Sequence, residues 1–308
     1  MSLRDQVKPA KRHQVKARIF IYGASGSGKT GTAMRLAHYL SGGTDTTPGN
    51  FLVIDTENHS ASLYALAEGE SINPARFRFE FQHLNLEPNQ NAPKDFIEAL
   101  NIAAELGVGA VVLDSATHEW QNILDRKTIK DAGGGNSFTN WGPFTKEHLD
   151  FIDAVKHPPC HLIVTARGKE EFVAEKTETG KTTIRKLGIQ PVQREGFGYE
   201  LDINILMQQD DNGVNAIITK SRNPDLVSGK IIVNPGKELA EQILIWAQVG
   251  DEPPMTKDAM VQRLIREGHF DNEAAVTEKV KALKLTKPEG VDGYVRMYEK
   301  LKLSANVL

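Results

Sequence analysis

Between residues 23 and 30 the chain reads Gly-Ala-Ser-Gly-Ser-Gly-Lys-Thr, which sets flexible backbone, a cation and a hydroxyl side by side. That combination suits a polyphosphate. Glycines let backbone N–H groups turn inward around phosphate oxygens, and the start of a following helix adds a favourable dipole. Gly23, Ser25, Gly26, Ser27 and Gly28 would form the cradle, and Gly31 would open the helix behind it. Lys29 would reach the β and γ oxygens of ATP, while the Thr30 hydroxyl would ligate Mg²⁺. Both flanks agree with this: residues 18–22 form an apolar run that reads as a strand, and 31–40 read as a helix. The competing explanation is a Gly/Ser turn that happens to end in Lys-Thr.

Two carboxylates extend the constellation. Asp114 ends the apolar run 108–114 and suits a Mg²⁺-orienting role next to Thr30, because hard cations take oxygen ligands. A turn or cap residue at a strand end is the plainer alternative. Ser115 follows it, so the Asp-Glu pair of many ATPases is missing. Glu57 lies just past the strand 51–55, at the sheet edge where ligands of open α/β folds sit. It is the candidate general base for an attacking water, against the alternative of a surface glutamate. Thr165 and Arg167 end a further strand and would sense a terminal phosphate; a salt-bridged arginine explains Arg167 equally well. His59, His118, His148, His157 and His161 have no zinc-like spacing and read as surface or packing groups. Cys160 reads as a small core residue.

These groups need a scaffold. With 308 residues, 40% hydrophobic and a net charge of −3, the chain can bury a full core. The single cysteine excludes an internal disulfide, and no apolar run approaches membrane length. Both features favour a cytoplasmic protein. Near-neutral charge confines any nucleic-acid surface to loops or tails. The polar, basic residues 1–16 read as a flexible tail. Strands at 51–55, 77–81, 108–114 and 161–165 alternate with helices at 93–106 and 144–155, which implies a parallel sheet covered on both faces. Beyond Arg167 the pattern predicts a hairpin over 171–185 turning at Thr179-Gly180, then strands at 201–207, 214–219 and 230–233. A helix over 239–249 closes a core of residues 17–250. Past a hinge at 251–254, three helices (256–267, 272–283 and 291–301) form a small C-terminal domain, with Thr256 and Asn272 as caps.

The order of these motifs resembles the RecA-type recombinase core. Residues 54–65, Ile-Asp-Thr-Glu-Asn-His-Ser-Ala-Ser-Leu-Tyr-Ala, look like the segment carrying that family's catalytic glutamate, and Val111-Val-Leu-Asp-Ser115 like its metal-binding strand. Residues 215–224, Asn-Ala-Ile-Ile-Thr-Lys-Ser-Arg-Asn-Pro, are similar to the family's strand with two trans-acting cations. By that resemblance Lys220 and Arg222 would reach a neighbouring protomer's γ-phosphate. The alternative is two solvated cations at a strand end. Residues 185–196, ending Gln-Arg-Glu-Gly, and the sequel 199–203 look like the phage-encoded single-core members linked to single-strand annealing. The resemblance covers roughly residues 17–245 and implies a RecA-like α/β core with a mainly parallel twisted sheet flanked by helices. It further implies ATP and Mg²⁺ as ligands, DNA-stimulated hydrolysis and a homo-oligomer, ring or filament. Single-stranded DNA, and a single-stranded DNA-binding protein, would be partners.

In that core, two loops after successive strands hold single-stranded DNA. Their places fall here on 120–141, with Arg126, Lys127 and Lys130 among Trp120, Phe138 and Trp141, and on 168–194, with Lys169, Lys176, Lys181, Arg185 and Lys186. Interleaved cations and aromatics suit backbone tracking and base stacking. Nearby acidic residues leave ordinary solvated loops as the alternative. Two other function classes stand beside the DNA-dependent ATPase. One is a P-loop kinase acting on a small molecule; the other is a loader or annealing protein that uses ATP only as a switch.

Overall fold

The computed structural model describes residues 4, 7, 9–176, 182–211, 213–252, 257–285 and 293–305. The core elements in chain order are β1 (Arg18–Gly23), α1 (Lys29–Leu40), β2 (Phe51–Asp55), β3 (Gln82–Asn85), α2 (Pro93–Leu106), β4 (Ala110–Asp114), α3 (Thr117–Ala132) and α4 (Ser137–Lys156). They continue with β5 (His161–Lys176), β6 (Thr182–Pro191), β7 (Ile203–Asp210), β8 (Gly213–Ser221), β9 (Ile231–Val233) and α5 (Lys237–Ala247). The nine-stranded sheet has the order β3-β2-β4-β5-β1-β7-β8-β9, with β6 paired to β5 alone. The expected α/β architecture, a mainly parallel sheet flanked by helices, is the one observed.

The sequence explains this order. All five residues of β2, Phe-Leu-Val-Ile-Asp, and of β4, Ala-Val-Val-Leu-Asp, are buried, as central parallel strands covered on both faces require. Pairing runs parallel from β3 through β2, β4, β5 and β1 to β7. β8 and β9 then return antiparallel. Against this sheet α1 buries Ala33, Met34, Leu36, Ala37 and Leu40. Gly23 pairs with Arg167 and with Met207, and Asp55 pairs with Asp114. The carboxyl ends of β1, β2, β4, β5 and β7 therefore share one edge, where open α/β sheets bind ligands.

Several expectations need correction. Residues 77–81 are not a strand: Phe77 has φ 55° after a 3₁₀ turn, and β3 forms over the next four residues. Apolar alternation at Phe77, Phe79 and Phe81 serves side-chain packing instead, with Phe79 fully buried and Phe51 close to both Phe79 and Phe81. The expected long loop over 120–141 is mostly helical, since α3 runs to Ala132 and α4 starts at Ser137 under the Asn136 cap. The helix expected over 144–155 begins earlier, with Pro143 inside it.

The 168–194 segment is largely an arm rather than a loop. β5 keeps β1 company as far as Arg167, and from Gly168 onward pairs only with β6, through Lys176 and Thr182. Nine paired positions make a ribbon about 30 Å long. The expected turn at Thr179-Gly180 lies outside the described residues.

The chain divides into two compact units, Lys16–Asn101 with Val108–Trp246, and Met1–Val15 with Ile102–Gly107 and Ala247–Leu308. In the second unit, part of the expected N-terminal tail is tied down. The Gln14 amide donates to the Asp251 carbonyl at 2.9 Å, Val15 to Ala247 at 2.8 Å, and Asp251 to Arg12 at 3.0 Å. The same unit holds α6 (Lys257–Arg266), α7 (Glu273–Ala282) and α8 (Gly293–Ala305). They pack through Met260, Val261, Leu264, Val276, Met297, Tyr298 and Leu301. Asn272 caps α7 by accepting from the Ala275 amide at 3.0 Å. Thr256, the other expected cap, lies outside the described residues, as does much of the expected hinge. Among the described residues no helix is long and apolar enough to cross a membrane.

Candidate nucleotide site

The loop between β1 and α1 is shaped by two glycines. Gly28 has φ 84°, a left-handed conformation that glycine adopts without steric cost. Gly23 is pressed against β7: a Cβ there would lie 2.4 Å from the Met207 carbonyl oxygen. Gly23→Ala is therefore expected to destabilise the protein by about 1–3 kcal/mol, as forced overpacking does. Thermal unfolding measures this, and an unchanged melting temperature would contradict the packing argument.

The loop is built to receive an anion. α1 begins without a side-chain cap and without an acidic residue in its first turn, so its leading N–H groups face the loop. The Ser27 hydroxyl is buried without a hydrogen-bond partner among the described residues. Lys29 Nζ donates to the Ala24 carbonyl at 2.8 Å and so folds over the loop it would serve. Burial lowers the Lys29 ammonium from its ordinary value, against the pull of Asp114 and Glu57. An ammonium so placed lies among the carboxylates of the site.

Asp114 anchors the next layer. Its carboxylate accepts from the Thr30 hydroxyl at 2.5 Å and, through its other oxygen, from the Thr165 hydroxyl. Burial raises its pKa, while the two hydroxyls work to lower it. Thr30 and Asp114 thus form a pair of hard oxygen donors at the end of the phosphate loop, the donor set that Mg²⁺ prefers when its remaining ligands are water and phosphate. The orphaned Ser27 hydroxyl and the uncapped helix fit the phosphate that such an ion accompanies.

Glu57 faces this layer from β2. Arg167 grips it with two parallel bonds, Nε to Oε1 at 3.0 Å and Nη2 to Oε2 at 2.9 Å. Ser115 adds a longer contact to Oε1 at 3.4 Å. Burial pushes the Glu57 carboxyl up, but Arg167, with help from His118 and Ser115, outweighs it and holds the pKa below the ordinary value. Arg167 is correspondingly raised, chiefly by its hydrogen bond to Glu57.

With this geometry in hand, comparison with known proteins is decisive on one point. The profile of AAA_24, an AAA domain, matches residues 15–231. The chain belongs to the AAA_24 family. Its core is accordingly a nucleotide-binding P-loop domain. Among solved structures it is similar to that of the RadB recombinase, at 16% identity over 71% of this chain and 86% of that one, with a TM-score of 0.39. So loose a superposition decides nothing about function. No curated protein sequence matches the chain.

In this AAA-domain core, three positioning groups were missed by reading the sequence. Asp55, fully buried, accepts from the Glu57 amide at 2.6 Å, the Ala61 amide at 2.8 Å and His83 Nε2 at 3.3 Å. It folds the segment that aims Glu57. Thr56 Oγ1 receives the Ser115 amide at 2.8 Å and lies 2.6 Å from His118 Nδ1. His118, which reads from sequence as a surface or packing group, borders the site, and burial together with Arg167 lowers its pKa. An acidic residue two positions before a candidate base was the available signal.

Lys220 and Arg222 lie away from the phosphate loop of their own chain. Lys220 pairs with Asn204, which lies opposite Phe20, about 10 Å along the strands from Gly23 toward the amino edge. Its ammonium donates to three carbonyls, Gly198 at 2.9 Å and Tyr199 and Leu201 at 2.7 Å. Arg222 shares Asp202 with Arg18, at 3.2 Å and 2.7 Å, and remains 53% exposed.

The candidate DNA-contacting cations divide similarly. On α3, Arg126 Nη2 donates to both Glu147 carboxylate oxygens at 2.6 and 2.7 Å, Lys127 pairs with Asp131, and Lys130 lies 5.7 Å from the Phe144 ring centre. Trp120 and Trp141 stack on each other at 6.1 Å, whereas Phe138 is 90% exposed. Lys169 is exposed at the root of the arm. Lys176 and Arg185 pair with Thr182 and Val173 along the ribbon, and Lys186 with Phe172. Lys181 lies outside the described residues. His148 is a buried packing group that bonds Glu119 at 3.0 Å.

Proposed function

We propose that the protein is a Mg²⁺-dependent, DNA-stimulated ATPase of recombination that binds single-stranded DNA and promotes strand annealing. One observation carries the reading. The Lys29 loop, the Thr30–Asp114 pair and Glu57 meet at a single sheet edge, and α3 and the β5–β6 arm both spring from that edge.

Thr30 and Asp114 would hold Mg²⁺, which when bound neutralises charge on the terminal phosphates. The chain's own residues do the rest. Loop amides and Lys29 bind the triphosphate, and the Asp55 hydrogen bonds aim Glu57. The Glu57 carboxylate then takes a proton from the attacking water. Along the nucleic acid, exposed ion pairs such as Arg126–Glu147 are worth little in water, so exchange of Glu147 for a phosphate is cheap. Affinity would fall steeply with salt.

Steady-state ATP turnover with and without single-stranded DNA separates the readings. Stimulation is the expected result. Turnover that needs a phosphoryl acceptor would instead mark a kinase, and tight binding without turnover an ATP-switched loader. Annealing of complementary strands, and association with a single-stranded DNA-binding protein, are read in the same mixtures.

The placement of Lys220 and Arg222 favours action across a protomer interface in a homo-oligomer, since neither approaches its own phosphate loop. Arg222 gives up one ion pair to reach out, whereas Lys220 gives up three carbonyls. Mixing Arg222→Ala with Lys29→Ala protein is expected to restore part of the turnover each lacks. Absence of recovery in mixtures shown to co-assemble would remove the trans role.

A further inference from the structure

The turn that follows Glu57 does not hold its own shape. Asn58 and His59 both have left-handed backbones, with φ 56° and 61°. Residues with a side chain adopt that conformation at a cost, and it persists only where the surroundings fix it. Two of them in succession, directly after a candidate base, require a hold from outside the turn.

That hold is made by side chains acting on alternate amides. Asp55 accepts the Glu57 amide at 2.6 Å and the Ala61 amide at 2.8 Å. The amide midway between them, that of His59, donates to Asn85 Oδ1 at 3.0 Å. Asp55 is itself steadied by His83, whose Nε2 donates to Oδ2 at 3.3 Å. The His59 and His83 rings also meet edge-on, with centres 5.7 Å apart. Strand β3 supplies both outer contacts. It runs parallel to β2 with Val53 opposite His83 and Asp55 opposite Asn85, so His83 and Asn85 stand on the sheet face that Asp55 uses. Their side-chain contacts run to this turn, to Asp55, and to Phe81 and Glu87, not to Lys29, Thr30 or Asp114.

We propose that His83 and Asn85 of β3 are positioning residues, which clamp the strained turn after β2 and thereby fix the aim of Glu57. The inference rests on the reading of Glu57 as base, and extends it from that residue to the strand that keeps it in place. Loss of the clamp lets the turn relax toward ordinary backbone and carries the carboxylate away from the attacking water, while the grip on ATP is left intact.

The test compares wild type with His83→Ala, Asn85→Ala, the double variant and His83→Gln. In the double variant kcat for ATP is expected to fall by about 10- to 100-fold, the range for a reacting group misplaced by up to about 1 Å. KM should stay within about two-fold of wild type. His83→Gln, whose amide nitrogen takes the place of Nε2, should recover most of what His83→Ala loses. Hydrogen exchange read by mass spectrometry supplies a measure independent of turnover. Peptides covering residues 57–64 should exchange several-fold faster in either alanine variant, while those covering β4 stay at the wild-type rate. Wild-type kcat in the double variant, His83→Gln as impaired as His83→Ala, or exchange unchanged over 57–64 overturns the proposal. Exchange quickened equally in β4 would mark general loosening and overturn it too. A wild-type protein that never turns over ATP would overturn the reading of Glu57 as base instead, and the exchange would still decide whether β3 holds the turn.

Discussion

Lys29→Ala protein is expected to fold normally and to lose ATP. In the folded chain Lys29 Nζ makes one hydrogen bond, to the Ala24 carbonyl of its own loop, so the truncation removes little that holds the core together. Its worth lies in the charge it brings to a partly buried cradle whose remaining donors are backbone N–H groups. Removing one partner of such a desolvated charge pair costs about 2–5 kcal/mol, and each 1.4 kcal/mol is about a tenfold change in affinity. ATP affinity should therefore fall by about 30-fold to several thousand-fold, and turnover with it. Calorimetric titration with ATP, run beside a thermal melt, makes the measurement. Wild-type affinity in a normally folded variant would mean that the loop does not grip phosphate through Lys29.

Glu57→Gln separates binding from chemistry. The amide keeps the shape of the side chain and one acceptor for Arg167 but cannot take a proton at neutral pH. ATP affinity should stay near wild type while turnover falls about 10²–10⁴-fold, the usual contribution of a positioned base. The wild-type pH profile carries a matching signature. Because Glu57 is held below its ordinary pKa, its carboxylate form persists through neutral pH, and the acid limb should begin below the ordinary glutamate range near about 4.3. Unimpaired hydrolysis in Glu57→Gln would strip the residue of its role and, with it, the argument for a water activated from the tip of β2.

These two substitutions also test how the family and the site fit together. The chain is an AAA-domain protein by its profile match, yet Asp114 is followed by serine rather than a second carboxylate. The tertiary arrangement supplies a carboxylate from elsewhere: Glu57 lies within 3.4 Å of that same serine. On the proposed reading, this carboxylate from the neighbouring strand stands in for the adjacent acidic residue.

Local chemistry made the phosphate loop legible from the sequence. Gly28, Lys29 and Thr30 act through backbone freedom, charge and a hydroxyl within one turn, and a strand before and helix after them are short-range features. The apolar runs of β2 and β4 were equally plain, because strands buried on both faces leave an unbroken hydrophobic signal. Residues 77–81 and 120–141 misled for the opposite reason. Phe79 and Phe81 pack around Phe51, and Phe77 against Tyr64 and Arg35, rather than along a strand, and a segment rich in Lys, Gly and Asn proved to be two helices once α3 and α4 could bury Ile123, Phe144 and Phe151.

What no local pattern carries is which distant groups meet. Asp114 joins Thr30 across 84 residues and Glu57 joins Arg167 across 110, contacts created by parallel pairing that brings five strand ends to one edge. Likewise Lys220, legible as a cation, donates to three carbonyls because β8 runs antiparallel and ends at the far side of the sheet. The sequence alone determined the chemical parts and the class of fold, since both follow from short-range residue order. Only the tertiary structure decided partners and directions, because these depend on strand order and register, which bring together residues far apart in the chain.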